Sequence, residues 1–115
     1  MKKPIKALLL AAGEGTRLRP LTLKIPKCLV KIDRKSLLQI WLEKLSKLGC
    51  NEVLINTHYL HEQVDDFLNN YTSKSMKISV IYEKELLGTA GTLIKNINFF
   101  NNSTGLVLHA DNMTD

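Results

Sequence analysis

Lys6-Ala7-Leu8-Leu9-Leu10-Ala11-Ala12-Gly13-Glu14-Gly15 carries an unbroken apolar run into two closely spaced glycines. A strand with one wet face alternates apolar and polar residues, whereas a strand covered on both faces of a parallel sheet is apolar throughout. Lys6 to Ala12 is therefore predicted to be the first and central strand of such a sheet. From Gly13 to Lys27 the chain loses any hydrophobic period and becomes rich in Gly, Arg, Thr and Pro. Structureless connections longer than about 12–15 residues are uncommon unless they bind something. The segment is suspect as a ligand loop on that ground alone.

Outward from this start, strands and helices alternate. Ser36 stands three residues before Gln39, a capping-box pattern, and Leu37, Leu38, Trp41, Leu45 and Leu48 follow at helical spacing until Gly49 stops the helix. Glu52 to Asn56 is a short β-branched run, Val64, Phe67, Leu68 and Tyr71 mark a second helix, and Lys77 to Tyr82 reads as a third strand. A further helix is expected from near Thr89 to about Lys95, and a fourth strand over Gly105 to His109. This order predicts right-handed βαβ units and an α/β, Rossmann-like, three-layer α/β/α architecture with a mainly parallel sheet. No repeat, linker or low-complexity stretch interrupts residues 1–115, which read as one domain. Ligands of such sheets bind beyond the carboxyl ends of the strands. That gathers the loop after strand one, the segment Glu83 to Gly91, and Asp111.

Composition narrows the partners. With 115 residues, 44 % apolar and 23 % charged, the chain lies far from the disordered class. Its longest apolar run, Ala7 to Ala12, falls well short of the roughly 20 residues of a membrane span. Lys2, Lys3 and Lys6 loosely mimic a secretory signal, but glycines follow at once without a cleavage site, so a cytoplasmic protein with no membrane partner is expected. Cys28 and Cys50 suit neither a disulfide framework nor a zinc site, and neither is expected to be functional. The net charge of +5 suits an anion. Scattered lysines and only three Phe, three Tyr and one Trp point to phosphate rather than nucleic acid. His58, His61 and His109 lack metal-ligand spacing, and turn or core roles are expected.

The loop contains the parts of an anion cradle. Gly13 and Gly15 let backbone N–H groups approach a phosphate, Thr16 adds a hydroxyl donor, Arg17 and Arg19 offer planar forks, and Lys27 a compact charge. It is not a dinucleotide fingerprint, which requires glycine where Leu18 stands, nor a Walker A loop, which ends in Gly-Lys-Ser/Thr. A Gly-rich turn with solvated arginines is the competing reading, weakened by Pro20 and Pro26-Lys27. Cys28, beside Lys27, is better read as a small buried hydrophobe than as a reactive thiol.

Leu8-Leu9-Leu10-Ala11-Ala12-Gly13-Glu14-Gly15-Thr16-Arg17-Leu18-Arg19-Pro20-Leu21-Thr22, with Ile25-Pro26-Lys27-Cys28-Leu29 after it, resembles the signature of the sugar-phosphate nucleotidyltransferases. Glu83-Lys84-Glu85-Leu86-Leu87-Gly88-Thr89-Ala90-Gly91 is similar to a segment of mannose-1-phosphate guanylyltransferases, with Leu86 where proline is usual. Val107-Leu108-His109-Ala110-Asp111 resembles a family strand ending in Gly-Asp, with Ala110 in the glycine's place. The resemblance covers the amino-terminal half of that fold and implies that the sugar-binding half lies outside these 115 residues. It assigns Leu10, Ala12, Gly13, Gly15 and Thr16 to the nucleotide, Arg17 to the triphosphate and transition state, and Lys27 to phosphate neutralisation. It further implies that Gly88 and Thr89 lie against the nucleotide and that Asp111 holds Mg²⁺.

Chemistry is consistent with these implied roles. Attack of a sugar phosphate on an α-phosphorus joins two anions, so positioning and charge stabilisation dominate and no protein nucleophile is required. Mg²⁺ accepts one or two carboxylates beside phosphates and water, which suits Asp111, although a turn cap after the strand is the plainer alternative. The Glu83 carboxylate matches the paired donors of guanine's Watson–Crick edge, which favours GTP; a solvated glutamate is the alternative. The expected activity is transfer of a nucleotidyl group to mannose 1-phosphate or a related hexose or heptose 1-phosphate, for nucleotide-sugar and polysaccharide synthesis. Thymidylyl or uridylyl transfer, or a non-catalytic nucleotide-binding fragment, are the alternatives. An assembly of identical subunits is compatible with the sequence.

Overall fold

The computed structural model describes residues 3–13, 20, 23–71, 73 and 75–110. Strand β1 (Ile5–Leu10) leads through the ligand-loop region into a small hairpin, β2 (Lys31–Ile32) and β3 (Lys35–Ser36). Helix α1 (Leu37–Leu48), β4 (Glu52–Thr57), α2 (His61–Asn69), β5 (Lys77–Tyr82), α3 (Gly88–Lys95) and β6 (Thr104–His109) follow. The main sheet has the order β5-β4-β1-β6 with every pairing parallel. β1 is thus flanked on both sides, as its continuous apolar run predicts. The chain winds outward from β1 through β4 to β5, then returns across the sheet to place β6 on β1's other side. β1 and β6 therefore border the switch point, where an open sheet leaves a crevice.

Alternation along β1 divides the core into two layers. Ala7 and Leu9, with Val53 and Ile55 of β4, pack against Leu38, Leu42 and Leu45 of α1 and Val64 of α2. Leu8 and Leu10, with Leu54, face the other way and meet Leu93 of α3 together with Phe99 and Phe100. The second layer is the thinner one. Gly105 lies where β6 passes Phe100: a Cβ there would come within 2.8 Å of the ring, so close approach of backbone to aromatic is what requires glycine.

The predicted cap of α1 is half realised. Ser36 Oγ accepts the Gln39 N–H at 3.1 Å, while the Gln39 side chain donates to Glu43 instead of reaching back to the cap. Gly49 ends the helix at φ 89°. The β2–β3 hairpin lies beyond what sequence patterning reveals: each strand has only two residues, too few to display alternation, and its turn takes positive φ at Asp33 and Arg34 without a glycine signal. Short 3-10 turns at Lys27–Leu29 and Ile97–Phe100 also add to the elements that periodicity predicts.

Both cysteines are core residues, Cys28 at 1 % and Cys50 at 2 % exposure. Burial pushes the Cys50 thiol above its ordinary range, depleting the thiolate that reacts. A thiol reagent at neutral pH is accordingly expected to modify neither cysteine at an appreciable rate until denaturant is added, and then to titrate both. Fast labelling of the folded protein would contradict this packing.

Candidate functional site

The register of the sheet brings three strand ends to one level, because Leu10 of β1 stands opposite both Asn56 of β4 and His109 of β6. Beyond them lies a cavity of about 150 Å³. Leu10, Ala12 and Gly13 form its β1 side, Asn56 and His109 contribute from the neighbouring strands, and Leu86, Gly88 and Thr89 form the opposite wall. Leu10, Ala12, Gly13, Gly88 and Thr89, separated by up to 79 positions, are thus brought together.

Gly88 opens α3 at φ 75°, a left-handed conformation that other residues adopt at a cost of roughly 1 kcal/mol. A Cβ at this position would meet nothing within 4 Å, so backbone conformation rather than space selects glycine. Since Gly88 and Thr89 begin the helix and line the cavity, its positive N-terminal end lies at the cavity wall. His58 holds the start of the segment that leads to this wall: its Nδ1 donates to the Glu83 carbonyl at 2.7 Å, which fixes the proton on that nitrogen.

The Glu83 carboxylate, expected at a base edge, bonds two protein side chains in this structure. The side chain is 4 % exposed and turned into the protein. Its Oε2 accepts the Thr92 hydroxyl at 2.5 Å and its Oε1 the Asn56 amide at 3.3 Å. Thr92, one α3 turn inside the helix, offers a buried donor, and the carboxylate follows it. Sequence reasoning misses Asn56; the available signal is a polar residue ending a β-branched run at the carboxyl end of a strand. His109 also lines the cavity, a place that the expected turn or core role does not include.

Lys27 begins the 3-10 turn whose next residue, Cys28, is anchored in the core. It is not among the cavity-lining residues. The returning loop is pinned at Lys24, whose carbonyl accepts the Gln63 amide of α2 at 2.6 Å. Gly15, Thr16, Arg17, Arg19 and Asp111 lie outside the described residues. The Ala110 N–H donates to the Leu10 carbonyl at 3.0 Å, so the chain leaving β6 toward Asp111 starts from beside the end of β1. Among the described residues, no group of three His, Cys, Asp or Glu side chains could hold a metal ion. Nor is any described helix long and apolar enough to cross a membrane.

Comparison with known proteins places these observations. The family model for nucleotidyl transferase matches residues 6–115. Mannose-1-phosphate guanylyltransferase catalytic subunit beta of Dictyostelium discoideum is 39 % identical over 113 residues, covering 96 % of this chain and 32 % of its own length. UTP–glucose-1-phosphate uridylyltransferase of Synechocystis sp. is 32 % identical over 122 residues, with 96 % and 31 % covered. Among solved structures, CTP:phosphocholine cytidylyltransferase from Streptococcus pneumoniae superimposes with a TM-score of 0.78 at 32 % identity, over 93 % of this chain and 45 % of that one. The chain spans about a third of the length of the curated relatives it matches.

Proposed function

Because this chain belongs to the nucleotidyl transferase family, we propose that it forms the nucleotide-binding part of an enzyme that transfers NMP from an NTP to a sugar 1-phosphate. The observation that carries the reading is the convergence of the β1 exit, Leu10 to Gly13, and the α3 entrance, Gly88 to Thr89, on one cavity. Glycine at both places keeps side-chain bulk away from backbone N–H groups where an anionic ligand would lie. The base occupies this cavity and the triphosphate runs outward toward the segment that follows Gly13.

In the reaction an oxygen of the sugar phosphate attacks the α-phosphorus, a new P–O bond forms, the bond to the bridging oxygen breaks, and pyrophosphate leaves. Arg17 and Lys27 neutralise the charge that accumulates around the α-phosphorus, and the loop backbone holds the triphosphate in line. Asp111, two residues beyond the end of β6, is the residue that would hold Mg²⁺, which when bound supplies charge neutralisation on phosphate oxygens. Guanine is the favoured base and mannose 1-phosphate the favoured acceptor, because the guanylyltransferase relative is 39 % identical over nearly the whole chain. Nucleotide-sugar synthesis in the cytoplasm is the setting this activity implies.

The uridylyltransferase relative favours a second reading, in which UTP replaces GTP. A panel of GTP, UTP, dTTP, CTP and ATP against mannose-, glucose- and heptose-1-phosphate, scored by pyrophosphate release, separates them. The largest rate is expected for GTP with mannose 1-phosphate. Highest activity with UTP would replace guanine with uracil, and nucleotide binding without pyrophosphate from any pair would leave a non-catalytic nucleotide module.

A further inference from the structure

The buried polar groups behind the cavity wall form one connected set. Asn56, at 4 % exposure, uses both ends of its amide. Oδ1 accepts the Ala11 N–H at 2.7 Å, and Nδ2 donates to Glu83 Oε1 at 3.3 Å. Glu83 Oε2 accepts the hydroxyl of fully buried Thr92 in α3. Glu83's own backbone is held too, its N–H by the Thr57 carbonyl at 2.7 Å and its carbonyl by His58. One amide and one carboxylate therefore tie the exit of β1, the end of β4 and the first turns of α3 into a single unit.

The donor and acceptor pattern leaves no freedom in this set of bonds. A backbone N–H can only donate, so the Asn56 atom facing Ala11 must be oxygen. A carboxylate can only accept, so the atom facing Glu83 must be the NH₂ group. We infer that Asn56 is a positioning residue for nucleotide binding: Glu83 orients its amide, and the amide sets where the backbone at Ala11 leaves β1 for the loop, relative to the wall at Gly88. The inference rests on the proposed function in taking the cavity's ligand to be a nucleotide. Ala11 stands between two cavity-lining residues of the β1 side, Leu10 and Ala12, so a shift of its N–H moves that side of the cavity.

The arrangement predicts a reciprocal rescue. Asn56→Asp sets one carboxylate against another, and Glu83→Gln can keep its oxygen on the Asn56 amide only by turning its NH₂ to the Thr92 oxygen, so that the hydroxyl hydrogen loses position 83 as its acceptor. The double substitution restores every bond with the polarity of the central one reversed. The new carboxylate at position 56 accepts from the Ala11 N–H and from the new amide at position 83, whose oxygen accepts from the Thr92 hydroxyl. Each single variant is expected to weaken GTP binding by about tenfold or more, because a displaced Ala11 backbone moves the β1 side of the cavity. The double variant is expected to return to within about threefold of the parent, a coupling that a double-mutant cycle isolates.

Calorimetric titration with Mg²⁺–GTP, well below each variant's unfolding midpoint, measures this, and amide exchange at Ala11 reports the same bond without ligand. Loss of Ala11 protection in the single variants with recovery in the double supports the inference. Unchanged protection and affinity in both single variants overturns it, as does a double variant whose thermal midpoint recovers while its affinity does not. A parent protein that binds none of the five nucleotides sinks the proposed function instead, and the Ala11 exchange then still decides whether Asn56 positions this backbone.

Discussion

Arg17→Ala is expected to lower nucleotidyl transfer by on the order of 10²–10³-fold, the usual consequence of deleting one preorganised group that stabilises transition-state charge. The sugar phosphate and the α-phosphate are both anionic, and their approach gathers negative charge at the reacting phosphorus. A guanidinium fork matches two phosphate oxygens at once, whereas an ammonium acts as a point charge. Arg17→Lys should therefore retain part of the activity and Arg17→Ala little. If the interaction tightens in the transition state, the loss falls on kcat; if it serves ground-state binding equally, it falls on KM. Steady-state kinetics following pyrophosphate separates the two, with the unfolding midpoint as a control for the fold. Activity of the alanine variant within a few-fold of the parent would remove Arg17 from the proposed mechanism.

The features that are legible in the sequence are those determined locally. β1 announces itself by an apolar run with no alternation, α1 by Ser36 and Gly49 at its ends, and the all-parallel sheet by the regular exchange of short β-branched runs for helical spacing. The direction of a single side chain is determined elsewhere. Whether Glu83 faces a ligand or the interior depends on Thr92, nine positions later and in another element, and on Asn56, twenty-seven positions earlier. Asn56 signals only a polar residue at the end of a strand, and Thr92 reads as an ordinary helix residue, so nothing local links either of them to Glu83. Within α1 the helical spacing is right in period but displaced in phase. Trp41 packs at the edge of the core, Leu48 is 58 % exposed, and Leu42, absent from the expected face, is fully buried.

That displaced phase makes Leu42 the sharpest probe of the scaffold. Its side chain is 0 % exposed and belongs to the layer formed by α1 with Ala7, Leu9, Val53 and Ile55 of the two central strands. Leu42→Ala removes buried methyl groups and leaves a cavity that neighbouring strands, hydrogen-bonded on both sides, cannot readily collapse. The expected cost is about 2–5 kcal/mol, a large share of the roughly 5–15 kcal/mol by which domains are stable. Leu48→Ala, at the exposed end of the same helix, should fall within about 0.5 kcal/mol of the parent, because little surface is lost and alanine favours the helix. Urea denaturation compares them directly, as a shift in midpoint at constant slope. Equal midpoints for the two variants would mean that α1 is rotated from the orientation described. The layer containing Leu42 lies across the sheet from Leu8, Leu10 and α3. Well below its midpoint, Leu42→Ala should therefore bind nucleotide as the parent does, since Leu42 lies on the face of the sheet away from α3, whose first residues line the cavity.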